Sequence, residues 1–209
     1  MISTGFHRRT VVGIAAALTV MISGMAYEQV RAATPTSIAR VEIAATALKP
    51  AKRLRFPDTQ QTGPIMFPMD PLPVCALSKT SFGQPRSNGT RTHEGIDLMS
   101  SLGQAVYAVD NGVLWKQSID GPTALLSGNA WYVQLPDKTY YFYAHLSSFT
   151  PGLKVGDTVT KGQVIGLVGD TGDAGPGNYH LHFEVHPQGG AAVNPYPLLT
   201  IPSTCKVSA

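Results

Sequence analysis

Charge is scarce in this chain: 14% of its 209 residues are Asp, Glu, Lys or Arg, and the formal balance is +3. Even that excess sits largely at the N-terminal end. Taking away residues 1–33 removes Arg8, Arg9, Arg31 and Glu28 from 16 basic and 13 acidic residues, which leaves +1. A nearly neutral domain has no basic stripe to lay along a phosphate backbone, so no nucleic-acid partner is expected. Cysteine is scarcer still. Cys75 and Cys205 stand alone, neither in a Cys-x-x-Cys pair, and they are not assigned to metal. In an exported chain a disulfide is the favoured reading of two such residues; two buried thiols are the alternative. Also missing, after residue 69, is any helix-period apolar stretch of convincing length, which argues against a helix bundle.

What is abundant is turn chemistry: 21 Gly and 16 Pro. Short runs of β-branched and aromatic residues lie between these turns. "AVYAVDNGVLWKQ" carries Asp110-Asn111-Gly112 as a turn, and "WYVQLPDKTYYFYAHL" folds naturally as a hairpin about Pro136-Asp137-Lys138. The expected fold class is all-β, mostly antiparallel sheets joined by glycine-rich turns, in a single domain over residues 69–209. Ahead of it, Arg8 and Arg9 precede an uncharged stretch from Thr10 to Tyr27, with small residues suited to a cleavage site near Ala26 or Ala32. Residues 1–33 therefore read as an export signal or an uncleaved membrane anchor, which places the domain in the cell envelope, periplasmic or extracellular. Membrane association is expected only if that segment is retained. Residues 34–68, with scattered Pro, Thr and Ala and a basic cluster from Lys49 to Arg55, read as a linker or propeptide.

The chemistry is concentrated in "HLHFEVH", His180 to His186, which holds three of the six histidines. As a strand, it puts His180, His182, Glu184 and His186 on one face and Leu181, Phe183 and Val185 on the other. Upstream, "THEGIDL" supplies His93 and Asp97, with Gly95 permitting a bend that lets both converge. Together with the His180/His182 pair, they offer enough nitrogen and oxygen ligands for a tetrahedral zinc site with three protein ligands and one open position. Spacing alone leaves open which member of the pair binds metal.

Several stretches, in order, resemble the zinc metallopeptidases of the LytM and lysostaphin type, family M23, which cleave peptide bonds in bacterial peptidoglycan. They are "FGQPR" (Phe82 to Arg86), "HEGIDL" (His93 to Leu98), "YAHL" (Tyr143 to Leu146), "VGDTVTKGQVIGLVGDTG" (Val155 to Gly172) and "YHLHFEV" (Tyr179 to Val185). The resemblance implies a Zn²⁺ cofactor held by His93, Asp97 and His182, catalytic histidines His145 and His180, and peptidoglycan peptides as substrate. Glu184 is a candidate for holding a ligand imidazole from behind. His186, followed by Pro187, is expected to be peripheral, and His7 falls in the leader. Arg86 departs from the family's Phe-Gly-x-Arg spacing, which leaves no clear groove role for it. One rival is a noncatalytic relative serving as a binding module or as an activator of another cell-wall hydrolase, although this chain keeps all five site residues. Another is a lipoyl- or biotinyl-type carrier with Lys138 as attachment point, which explains neither the leader nor the histidines.

Overall fold

The structure, a computed structural model, describes residues 58–209. The signal or anchor expected at 1–33 and the linker expected from residue 34 up to residue 57 lie outside the described residues. The described part is built from strands, interrupted only by short 3-10 turns. In chain order the first strands are β1 (Thr59–Gln61), β2 (Ala76–Ser78), β3 (Pro85–Arg86), β4 (Arg91–Thr92), β5 (Ile96–Met99) and β6 (Ala105–Tyr107). They are followed by β7 (Gly112–Ser118), β8 (Asn129–Gln134), β9 (Tyr140–Phe149) and β10 (Thr158–Val159). Last come β11 (Val164–Val168), β12 (His180–His186), β13 (Ile201–Pro202) and β14 (Lys206–Ser208).

One large sheet runs β10-β7-β8-β9-β12-β5-β2-β14, with β11 pairing both β6 and β9. Its pairings are antiparallel except for β14 on β2. The period-two pattern explains the packing. In β5, Ile96 and Leu98 are buried while Asp97 and Met99 point to the other face. In β12, Leu181, Phe183 and Val185 pack into the core beside Trp131 and Tyr143. Full burial of a side chain such as Leu181 or Phe183 contributes about 1.5–3 kcal/mol. The polar atoms of the large core aromatics are satisfied: the Trp131 indole N–H donates to the Ile165 carbonyl at 3.0 Å, and the Tyr143 hydroxyl accepts from the Val109 amide at 3.0 Å.

Two sequence expectations shift. Residues 59–68, expected as part of the linker, belong to the folded body. β1 pairs with β13, and Ile65 and Phe67 are buried in the core. Their anchor is long-range pairing with the C-terminal segment, which no local pattern reveals. Gly95 has a different reason from the expected bend. It carries no positive φ. Instead, a side chain there would meet the Phe183 carbonyl oxygen at 2.5 Å and the His182 imidazole at 2.9 Å. Glycine at this position lets the approach to β5 lie flat against β12.

Cys75 and Cys205, each next to the paired strands β2 and β14, form a disulfide with Cα atoms 4.6 Å apart and a sequence separation of 130. The bond fastens the C-terminal strand to the sheet edge. Replacing both cysteines by Ala should lower stability by about 2–5 kcal/mol, read as a lower urea midpoint. An unchanged midpoint would mean that the β2–β14 pairing holds without the crosslink. Gly95→Ala should cost about 1–3 kcal/mol from overpacking, seen as a lower melting temperature. A variant as stable as wild type would show that β12 can move aside.

Candidate metal centre and catalytic cleft

The antiparallel register of β5 on β12 sets Asp97 directly opposite His182. His93 arrives from the segment just before β5, and three atoms meet: His93 Nε2, Asp97 Oδ1 and His182 Nδ1, separated by 2.9, 3.0 and 3.1 Å. Among the described residues these are the group of His, Cys, Asp and Glu side chains able to hold a metal ion. The outer contacts fix the imidazole tautomers. His93 Nδ1 faces the Ser81 carbonyl at 2.8 Å, and a carbonyl can only accept, so the proton sits on Nδ1 and Nε2 turns a lone pair inward. His182 Nε2 lies 2.7 Å from Glu184 Oε1, so Nε2–H donates outward and Nδ1 turns inward. Two nitrogen lone pairs and a carboxylate oxygen thus point at one spot, a donor set that fits zinc.

The electrostatics agree. Burial alone would raise the Asp97 carboxyl, but hydrogen bonds with His182 and His93 overcome it and hold the group well below the usual carboxylate range. Burial disfavours charge on His182, yet its hydrogen bonds with Asp97 and Glu184 dominate and raise it to about 9. The site therefore favours positive charge where the three atoms meet, and a divalent metal would displace that proton.

His145 and His180 line the same cleft, ring centroids 4.7 Å apart. His145 donates from Nδ1 to the Thr171 carbonyl at 2.8 Å, and His180 donates from Nδ1 to the Asn178 carbonyl at 2.8 Å. Both therefore present Nε2 to the cleft, that of His180 standing 3.8 Å from Asp97 Oδ1. His145 reaches this place through a local irregularity. The β8–β9 register shifts between Asn129 and Trp131, and His145 takes φ 63°. A bulge with a left-handed non-glycine residue costs on the order of 1 kcal/mol and re-aims the side chain, a device that clusters at functional sites. Burial, then the neighbouring charge of His180, lowers the His145 imidazole to about 4.

The cleft has a volume of about 1030 Å³. Its walls include Pro122–Ser127 and, joined to that loop by the Asp173 N–H donating to the Leu126 carbonyl at 3.2 Å, Asp173, Ala174 and Asn178. Its floor continues from the histidines across Phe142, Tyr132 and Tyr140. The five residues singled out from sequence come together here, while Cys75 and Cys205 stand apart at the sheet edge.

Two residues set aside from sequence belong to the site. Arg86 reaches past the irregular Gln84-Pro85 spacing, and its Nη2 donates to Asp97 Oδ2 at 2.5 Å, so the carboxylate offers its other oxygen to the metal position. His186 is not peripheral. It is buried, its ring stacked on Tyr140 at 4.2 Å and 10°, with Nε2 2.7 Å from Glu184 Oε2. Pro187 ends the strand only after His186 has taken its place in it. Glu184 opposes its own burial through hydrogen bonds from His182 and His186, which hold its carboxyl down at about 2. The sequence did contain a signal for His186: it shares the period-two face with the other three ionisable side chains of β12.

Known proteins are similar to this chain. Peptidase family M23 matches residues 91–195, half of the chain, a stretch that contains all five site residues. The L-Ala–D-Glu endopeptidase of Bacillus subtilis (strain 168) is 32% identical over 146 residues, covering 62% of this chain and 42% of the relative. The peptidoglycan DD-endopeptidase ShyC of Vibrio cholerae is 32% identical over 101 residues, covering 48% of this chain and 21% of the relative. The chain thus spans less than half the length of these curated relatives. Among solved structures, a putative glycyl-glycine endopeptidase lytM from Ruminococcus gnavus is 25% identical with a TM-score of 0.53, covering 73% of this chain and 64% of that one. The family match, on a fold that brings its motifs into one cleft, bears out the resemblance read from the sequence: the chain belongs to peptidase family M23.

Proposed function

We propose that this protein is an exported zinc endopeptidase that hydrolyses peptide bonds in bacterial peptidoglycan at the cell envelope. The observation that carries the reading is the convergence of His93 Nε2, His182 Nδ1 and Asp97 Oδ1, with the outer nitrogen of each imidazole already committed as a donor. These three residues would hold the zinc. Bound there, zinc would polarise the scissile carbonyl and lower the pKa of a water to around 7.

The remaining steps belong to side chains of the cleft. His145 and His180 each commit Nδ1 as a donor to a backbone carbonyl, so the Nε2 of either is placed to accept the proton of the attacking water. The other histidine, with its Nε2 protonated, would stabilise the oxyanion or pass that proton to the departing amine. Arg86 orients Asp97, and the adjoining segments that carry Pro122–Ser127 and Asp173, Ala174 and Asn178 line the groove along which an extended peptide would lie. The names of the relatives, an L-Ala–D-Glu endopeptidase and a peptidoglycan DD-endopeptidase, support peptidoglycan peptides as the substrate class.

Digestion of purified peptidoglycan should be abolished by a chelator and restored by zinc; chelator-resistant cleavage would sink the zinc reading. His182→Ala should hold no zinc, and a fully metallated variant would overturn the ligand set. His145→Ala should keep near-stoichiometric zinc while losing at least about 100-fold in kcat, and full activity would remove it from the mechanism. A wild-type protein that binds zinc but turns over no peptidoglycan would favour the noncatalytic binding module.

A further inference from the structure

Behind the metal position lies a line of buried polar groups that catalysis itself does not use. Glu184 stands on the same face of β12 as His182 and His186 and spans the gap between them, with Oε1 2.7 Å from His182 Nε2 and Oε2 2.7 Å from His186 Nε2. His186 is occupied at its other nitrogen too, because Nδ1 lies 2.9 Å from the Gly190 carbonyl. Both partners of His186 are acceptors, so both of its nitrogens are placed to donate, an arrangement that favours the protonated ring. The Tyr140 ring stacked on it at 4.2 Å presents a π-face, which suits a cation. The line has three elements: an acceptor that fixes a ligand, a donor that fixes the acceptor, and a backbone carbonyl with an aromatic ring that fixes the donor.

We propose that His186 is a positioning residue for the metal centre, acting through Glu184 to lock the His182 imidazole with Nδ1 turned toward the metal. The inference rests on the zinc reading above. A carboxylate buried behind a ligand with the His182 N–H as its one partner would leave its other oxygen unsatisfied and would be free to rotate. With His186 donating to Oε2, Glu184 has one oxygen pinned and the other left to receive the His182 N–H. The arrangement lengthens the carboxylate–histidine–metal triad by one residue, and partners of this outer kind typically change metal affinity by about 10–100-fold when removed. It also accounts for the alternation along β12, where four ionisable side chains share one face although only His180 and His182 face the reaction.

The test is zinc affinity, measured by competition with a chromophoric chelator, alongside the melting temperature of the metal-free protein. His186→Phe keeps a flat ring against Tyr140 and removes both donors, and it should weaken zinc binding by about 10–100-fold. His186→Arg keeps a cation and donors and should stay within about threefold of wild type, on the same reasoning. Should the Phe variant fail to fold, His186→Gln serves in its place and should bind zinc more weakly than the Arg variant. Equal zinc affinity in wild type and His186→Phe would overturn the proposal while leaving the zinc reading intact. Equal losses in the Phe and Arg variants would overturn it in favour of simple packing. A wild-type protein with no zinc affinity would overturn both.

Discussion

The centre of this protein depends on one strand register. Asp97 on β5 faces His182 on β12 across an antiparallel ladder, and a slip of a single residue would turn every side chain of β12 to the opposite face. The register is held from the back of the sheet. Leu181, Phe183 and Val185 fill the core, so the alternative pairing would bury Glu184 and three histidines in their place. The hydrophobic core therefore enforces the geometry of the polar cleft, and Gly95 allows it by removing the side chain that would push the two strands apart.

Around that register, each charged or protonated group has a partner that limits what it can do. Arg86 takes one oxygen of Asp97, Ser81 takes the outer proton of His93, Glu184 takes that of His182, and Thr171 and Asn178 take those of His145 and His180. Buried polar groups are costly unless satisfied, and here satisfaction also selects tautomers. The result is a set of lone pairs pointing inward. A site able to hold a metal is here preorganised by contacts beyond the three atoms that meet, which is also how the cleft can direct the imidazoles of His145 and His180 at one space without either collapsing onto those atoms.

Much of this was legible in the residues. Gly and Pro turns between short β-branched and aromatic runs gave the fold class, and alternation in "HLHFEVH" put its ionisable side chains on one face. The M23 motifs then named His93, Asp97, His145, His180 and His182. The missed features all depend on long-range partners. Residues 59–68 look like linker until β13 pairs with them, and Arg86 looks misplaced until the β3–β4 turn brings it to Asp97. His186 looked like the end of a strand, and becomes part of the centre only because Tyr140, 46 positions earlier in the chain, stacks on it. The bulge that aims His145 is likewise invisible locally, since nothing in "YAHL" announces a left-handed histidine.

By itself, then, the sequence determined the inventory: a nearly neutral, turn-rich β chain, with ionisable groups at period two and two cysteines free to pair. Those properties follow from side-chain chemistry and backbone periodicity, which are local. Only the tertiary structure decided which nitrogen of each imidazole turns toward the point where His93, Asp97 and His182 meet, which oxygen of Asp97 is free, and that Glu184 joins two histidines rather than facing solvent. These depend on carbonyls and carboxylates delivered by strands far apart in sequence, and a hydrogen bond has a direction only once both of its ends are in place.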